Sequence, residues 1–263
     1  MSASPDPWVS RLQTLAASPP ARRRERLGCG GPSALIGSIE PELARRIAAA
    51  GLPIEQCPPG WHIAGPVDAS LAGIARWLHA NGLCSRWRDE LLAVESEDGE
   101  TVGCIERAAA RALGLTTRAV HLVGRTADGR TWVQQRAFDK ATDPGLWDTL
   151  MGGLVAAGES TADTLARETH EEAGLAIEEL QGVAASGRIT VRRPVWDGYM
   201  VEHIDVFEAI VPDGTEPLNR DGEVERFARI DAGTLTQWLQ ADAFTLEAAL
   251  ILVRPPARFP RLS

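Results

Sequence analysis

The spacing of apolar and polar positions changes near residue 116. Before it, apolar residues recur at helical intervals. Leu43 and Ile47 follow Pro41 and precede Gly51, which predicts a short helix with proline in its first turn and glycine at its stop. Leu71, Ile74 and Leu78 share one face of a second helix over 68–82. Residues 100–114 read as a third, again closed by glycine, and residues 1–20 as a loose or short helical arm. Residues 91–94 read as extended. The expectation for residues 1–114 is a smaller, mostly helical N-terminal domain.

After residue 116 the period falls to that of strands. Segments 119–124 and 131–137 are separated by Asp128-Gly129, a strong hairpin signal. Strands are also predicted over 152–155, 182–193, 199–211 and 223–230, with helices over 160–173 and 231–240. Strands and helices mix without regular βαβ alternation. The fold class predicted for residues 115–263 is therefore α+β with a mixed sheet.

Composition is that of a globular protein, with 44% hydrophobic and 24% charged residues. The net charge of -9 argues against a nucleic-acid polymer as partner, because backbone binding needs clustered Lys and Arg. Arg22, Arg23, Arg24 and Arg26 form one short basic run, read as a solvated helix face. Cys29, Cys57, Cys84 and Cys104 form no C-x-x-C pair, which argues against zinc and fits free thiols in a reducing compartment. Residues 1–20 contain four prolines and no continuous apolar stretch, and the apolar run at 248–253 is too short to span a membrane. The expectation is a cytoplasmic protein with no membrane partner. A homodimer is compatible with the sequence, which fixes no oligomeric state.

The negative charge is local. Residues 159–179 hold seven acids and one base, and residues 197–231 ten acids and three bases. In the first segment Glu168, Glu171 and Glu172 stand at i, i+3 and i+4 on a predicted helix, within an arc of about 100°. Like charges so placed repel. Arg167 can reach Glu171 at i+4, and a hard divalent cation would offset the repulsion far better. Ser160 and Asp163 resemble a capping box, and Gly174 stands where a left-handed residue would end the helix.

Gly153, Glu159, Arg167, Glu168, Glu171, Glu172, Gly174 and Leu175 fit G-x5-E-x7-R-E-U-x-E-E-x-G-U, U being bulky and aliphatic, at every spacing. Thr169 alone departs, standing at the first U. Seven fixed positions at about 7% each would coincide by chance roughly once in 10⁸ starts. This signature resembles the Nudix box. Flanking residues extend the likeness: Ile105-Glu106-Arg107-Ala108 upstream, Arg136, Lys140, Pro144-Gly145 and Asp148 before the box, and Asp221-Gly222-Glu223-Val224 and Phe227 after it. Together these resemble the Nudix branch allied to thiamine pyrophosphokinase, whose members carry an extra N-terminal domain. The likeness covers residues 85–255, and residues 1–84 match more by helical character than by motif.

That resemblance implies an α/β/α Nudix sandwich and Mg²⁺- or Mn²⁺-dependent water attack on a P-O-P linkage of a small-molecule diphosphate. It implies metal ligands from Glu168, Glu171 and Glu172, with a backbone carbonyl from the Gly152–Gly153 region. Glu159 either binds an outer metal or hydrogen-bonds the loop. Arg167 orients the glutamates, and the general base is a helix glutamate or Glu223. Arg136 and Lys140 are candidates for the distal phosphate, against strand-end ion pairs with Asp139 or Asp143. Trp132, Trp147, Trp196 and Tyr199 are candidates for ring stacking, although most of the tryptophans fit core or interface positions better. His121 and His203 read as packed and His170 as exposed. The substrate class implied is thiamine diphosphate or its oxidised analogues. The alternatives are an oxidised nucleotide such as 8-oxo-dGTP and a diphosphate-binding module without turnover. Isomerase chemistry, also found in the superfamily, needs further Cys or metal ligands.

Overall fold

The computed structural model describes residues 6–30 and 34–254. Chain order begins α1 (Pro7–Ala16), β1 (Glu25–Cys29), β2 (Leu35–Ile39), α2 (Pro41–Ala49), β3 (Ile54–Cys57), β4 (Gly60–Ile63), α3 (Val67–Ala80), β5 (Leu91–Glu95) and β6 (Thr101–Glu106). It continues with β7 (Thr116–Arg125), β8 (Thr131–Arg136), β9 (Trp147–Asp148), β10 (Met151–Leu154), α4 (Thr161–Ala173), β11 (Gln181–Val195), β12 (Gly198–Ile210), β13 (Val224–Ile230), α5 (Ala232–Gln240) and α6 (Leu246–Leu252).

The N-terminal part holds more strand than its helical periodicity suggests. Its four-stranded sheet runs β2-β1-β4-β3, and β5 and β6 form a separate hairpin. Leu27, Ile39, Ile47, Ile63, Leu71, Ile74 and Leu78 join this sheet to α2 and α3 in one buried cluster. The helix expected over 100–114 is instead β6 followed by a short 3-10 turn, Arg107–Ala109. Two features favour the strand. β5 supplies a ladder partner for residues 101–106. Gly103, unfavourable inside a helix, lets the backbone approach α3 so closely that a Cβ would lie 2.7 Å from Asp68 Oδ1. The Arg22–Arg26 run is not a helix face either. It leads into β1, and the Arg24 side chain is buried, donating to Ser38 Oγ (3.0 Å) and the Ala112 carbonyl (2.8 Å).

The second part is the predicted mixed sheet. Its path is β11-β12-β7-β8-β13, with β10 also on β7 and β9 on β8. β12 and β7 run parallel, and the other pairings are antiparallel. Alternation along β7 divides the core. Val120 and Leu122 face a cluster that includes Leu165 and Ala173 of α4. Ala119 and Val123 face the other cluster, with Leu12 of α1, Leu239 of α5 and Ile251 of α6. The sheet thus lies between helical layers, as an α/β/α sandwich requires. The periodicity gave no helix at 246–252, where Thr245 caps α6 by accepting from the Ala248 amide at 3.2 Å.

The N-terminal arm crosses the expected division at 114/115, because α1 packs with α6 and β11 of the second part. Residues 1–5 of that arm and 255–263 of the C-terminal part lie outside the described residues. Backbone bonds join the two parts where the site lies. Ala157 donates to the Leu91 carbonyl (2.8 Å), and Tyr199 to that of Arg111 (2.9 Å). Among the described residues no helix is long and apolar enough to cross a membrane.

Candidate active site

The site is built where β10 runs into α4. Ser160 Oγ accepts from the Asp163 amide (3.1 Å) and Asp163 accepts from the Ser160 amide (3.3 Å), so the capping box forms. Gly174 closes the helix at φ 66°. Leu165, Thr169 and Ala173 bury one face of α4. Thr169 is fully buried, and its hydroxyl donates to the Leu165 carbonyl at 2.6 Å. The departure at that position is thereby absorbed within the helix.

The acidic face reaches the sheet through two glycines. A Cβ on Gly153 would lie 2.2 Å from Glu168 Cδ, and one on Gly152 would lie 2.5 Å from His121 Cε1. The missing side chains make room for a carboxylate on one side of β10 and an imidazole on the other. Glu172, only 2% exposed, accepts from the Gly152 amide (3.1 Å) and from Gln134 Nε2 of β8 (2.8 Å). His121 is packed, as expected, with Nδ1 at 2.9 Å from Thr149 Oγ1.

Arg167 gathers three carboxylates. Its Nε and Nη2 donate to the two oxygens of Glu159, each at 2.9 Å, and Nη1 donates to Glu168 (2.9 Å) and Glu171 (3.0 Å). This fork holds Glu159 below the ordinary carboxylate range and raises Arg167 further. Burial acts the other way on the inner pair. It pushes Glu168 up to about 7 against the pull of Arg167, and Glu172 up to about 8 against the charge of Lys140.

The pocket beside these groups is lined by both parts of the chain. It includes Arg136, Lys140, Gly152, Gly153, Glu168, Glu172 and Glu223, with Arg88, Arg107 and Arg111 from the N-terminal part. Glu171 and Glu159 are not among its lining residues. Neither cation proposed for phosphate is idle. Lys140 Nζ donates to Glu223 in a very short contact. Arg136 donates to the Thr142 carbonyl (3.0 Å) and pairs with Asp148 (3.5 Å), rather than with Asp139 or Asp143. Burial raises Glu223, but Lys140, Arg107 and Arg88 outweigh it and hold the carboxyl below its usual range. None of Trp132, Trp147, Trp196 and Tyr199 lines this pocket. Trp132 and Trp147 are core residues, and Tyr199 donates to the Ser18 carbonyl.

Periodicity could not find several of these residues. Arg107 lies in a segment singled out by resemblance, Asp221 in another and in the acidic stretch 197–231, and Glu202 in that stretch alone. Arg193 and Glu247 carried no signal. Glu247 is buried and pairs with Arg193 at 3.2 Å, deep in the same pocket.

The donor set fits a hard divalent cation. Glu172, Asp221 and Glu223 each offer one carboxylate oxygen, and these lie within 4.8 Å of one another. Such an all-oxygen cluster, beside the crowded Glu168, suits Mg²⁺ or Mn²⁺.

The NUDIX domain matches residues 115–251, more than half of the chain, and the chain belongs to that family. It is 41% identical over 86 residues to an uncharacterized Nudix hydrolase of Pseudomonas aeruginosa, covering 33% of this chain and 51% of the relative. It is 31% identical over 174 residues to an isopentenyl-diphosphate Delta-isomerase of Streptomyces avermitilis, covering 64% of this chain and 85% of the relative. The chain spans about half the length of the Pseudomonas relative. A crystal structure from Deinococcus radiodurans superposes with a TM-score of 0.51 at 22% identity, covering 63% of this chain and all of that one. This last likeness is one of fold.

Proposed function

We propose that the protein is a metal-dependent Nudix hydrolase that cleaves the P-O-P linkage of a small organic diphosphate by water attack. The observation that carries this reading is the convergence of Glu172, Asp221 and Glu223, of which Glu172 and Glu223 line, with Glu168, a pocket that also holds five arginines. In this reading Glu168, Glu172, Asp221 and Glu223 hold Mg²⁺ or Mn²⁺, with the backbone at Gly153 alongside. When bound, the ion supplies neutralisation of the phosphates and a more acidic water. Arg167 fixes the glutamates, and Glu159 serves as its anchor. Glu171, half exposed and held by Arg167, acts as an outer ligand.

Two groups are suited to take the proton of the attacking water. Without metal, burial pushes Glu168 up to about 7, and Lys140 helps hold Glu223 below its usual range. The chain is read as an accessory part, 1–114, and a catalytic part, 115–263, working in the cytoplasm. Within the substrate class, thiamine diphosphate or its oxidised analogues, cut to the monophosphate, is the leading choice. Support comes from the likeness of residues 85–255 to the thiamine-allied branch. Oxidised nucleotides such as 8-oxo-dGTP are the alternative.

The similarity to an isomerase brings a second reading, double-bond migration in an allylic diphosphate. Against it, none of the four cysteines lines the pocket, and Cys29 and Cys84 are buried elsewhere. The deciding experiment supplies the purified protein and Mg²⁺ or Mn²⁺ with thiamine diphosphate, its oxidised forms, ADP-ribose, 8-oxo-dGTP and isopentenyl diphosphate. Release of a monophosphate is the expected result. Isomerisation alone, or tight binding without turnover, would overturn the hydrolase reading.

A further inference from the structure

We infer that Arg88 and Arg107, carried by the N-terminal part, bind the terminal phosphate of the substrate, so that the pocket selects diphosphates ending in a free phosphate over diphosphates bridged between two organic groups. The inference rests on the reading of this pocket as a diphosphate site and adds what residues 1–114 contribute to it.

Six cationic side chains line the pocket, and five are already matched by a carboxylate. Lys140 is held by Glu223. Arg136 lies 3.5 Å from Asp148, Arg193 3.2 Å from Glu247, Arg107 2.6 Å from Glu90 and Arg111 4.0 Å from Asp197. Among the described residues the Arg88 guanidinium has no ion pair, although its charge acts on Glu223 across the pocket. Arg107 lines the pocket and spends one nitrogen on Glu90, with 41% of the side chain exposed.

The backbone fixes both arginines. Glu106, only 3% exposed, accepts from the Arg88 amide at 2.9 Å, and the Arg107 amide donates to the Glu90 carbonyl at 2.9 Å. Residues 88–90 are thereby tied to 106–107 at the end of the β5–β6 ladder, where Leu91 faces Glu106. The Ala157–Leu91 backbone bond then docks that hairpin on the loop before α4. Two arginines on adjoining backbone that line one pocket match a terminal phosphate, which offers three oxygens and up to two charges. A bridged phosphate offers two oxygens and one charge.

The test compares wild type, Arg88→Ala, Arg107→Ala and the control Arg86→Ala, which removes an arginine outside the pocket lining. Calorimetry with inorganic pyrophosphate in the presence of Mg²⁺ reads binding directly. Arg88→Ala and Arg107→Ala should each weaken it by about tenfold, and Arg86→Ala by less than about twofold. With Mn²⁺ present, kcat/KM for thiamine diphosphate relative to ADP-ribose should fall by about tenfold in the same two variants. Pyrophosphate affinity like wild type in both arginine variants would overturn the inference, as would no measurable pyrophosphate binding by wild type. Arginine-dependent pyrophosphate binding without turnover of any diphosphate would overturn the hydrolase reading and leave this inference standing.

Discussion

Glu168 lies against Gly153 so closely that a Cβ added to the glycine would lie 2.2 Å from its carboxyl carbon, far inside contact distance. The glycine is a requirement of the glutamate's position. Gly153→Ala should displace Glu168 and lower turnover by about 10²-fold, the usual cost of a misplacement near 1 Å. Circular dichroism would check that the sheet is intact. Activity within about twofold of wild type would show that Glu168 need not sit there.

Glu172 is expected to separate function from stability. It is fully buried and pushed up to about 8, so its charge is costly in the metal-free fold. Glu172→Gln keeps its shape and its contacts with Gly152 and Gln134. Turnover should fall by about 10²–10³-fold, comparable to loss of a main electrostatic contact. The melting temperature of the chelator-treated protein should hold or rise. A stable variant with full activity would remove Glu172 from the site.

The pH dependence follows from the same group. Its folded pKa lies above that of an unfolded glutamate, so the folded state binds more protons between pH about 4.5 and about 8. The penalty is absent below that window, grows through it and is complete above it. Glu168, pushed up to about 7, adds in the same sense. Without metal, the melting-temperature advantage of Glu172→Gln over wild type should therefore be larger at pH 8.5 than at pH 5. The rise produced by Mg²⁺ in wild type should grow over the same range. Equal differences at both pH values would contradict the burial of this carboxyl.

Arg167 holds Glu159 through both oxygens and reaches Glu168 and Glu171 from its third nitrogen. Lysine offers one point of charge and cannot reproduce that fork. Arg167→Lys should reduce kcat by about tenfold with a small loss of melting temperature, because the side chain is one-third exposed. Large destabilisation with normal kcat would make the residue purely structural.

Glu223 and Glu168 compete for the role of base, and their pH profiles differ. Glu223 is held below the ordinary range by Lys140 and two arginines, whereas Glu168 is pushed up to about 7. If Glu168 is the base, the acid limb of kcat persists, lowered in height, in Glu223→Gln. Loss of that limb in Glu223→Gln, with Glu168→Gln retaining it, would assign the proton to Glu223.

Much of α4 was legible in order. The i, i+3, i+4 spacing of Glu168, Glu171 and Glu172, the cap at Ser160 and the stop at Gly174 are local, and each needs only the helix to which it belongs. The Asp128-Gly129 hairpin is local in the same way, and Gly129 takes the left-handed φ of 84° that such a turn demands. These features depend on residues within about one turn of each other, so a linear reading captures them.

Tertiary structure decided the rest. The segment over 100–114 carries a helical pattern, but β5 offers it a ladder and Gly103 lets it press on α3. Lys140 and Arg136 are cations in sequence, and their charges are committed to Glu223, just before β13, and Asp148 of β9. Arg88 and Glu223 line one pocket although 135 residues apart, and the Ala157–Leu91 backbone bond ties the β5–β6 hairpin to the loop before α4. The chain by itself determined which residues could carry charge to a helix face. Packing between distant segments determined which of those charges are buried, which are paired, and which remain available to a phosphate.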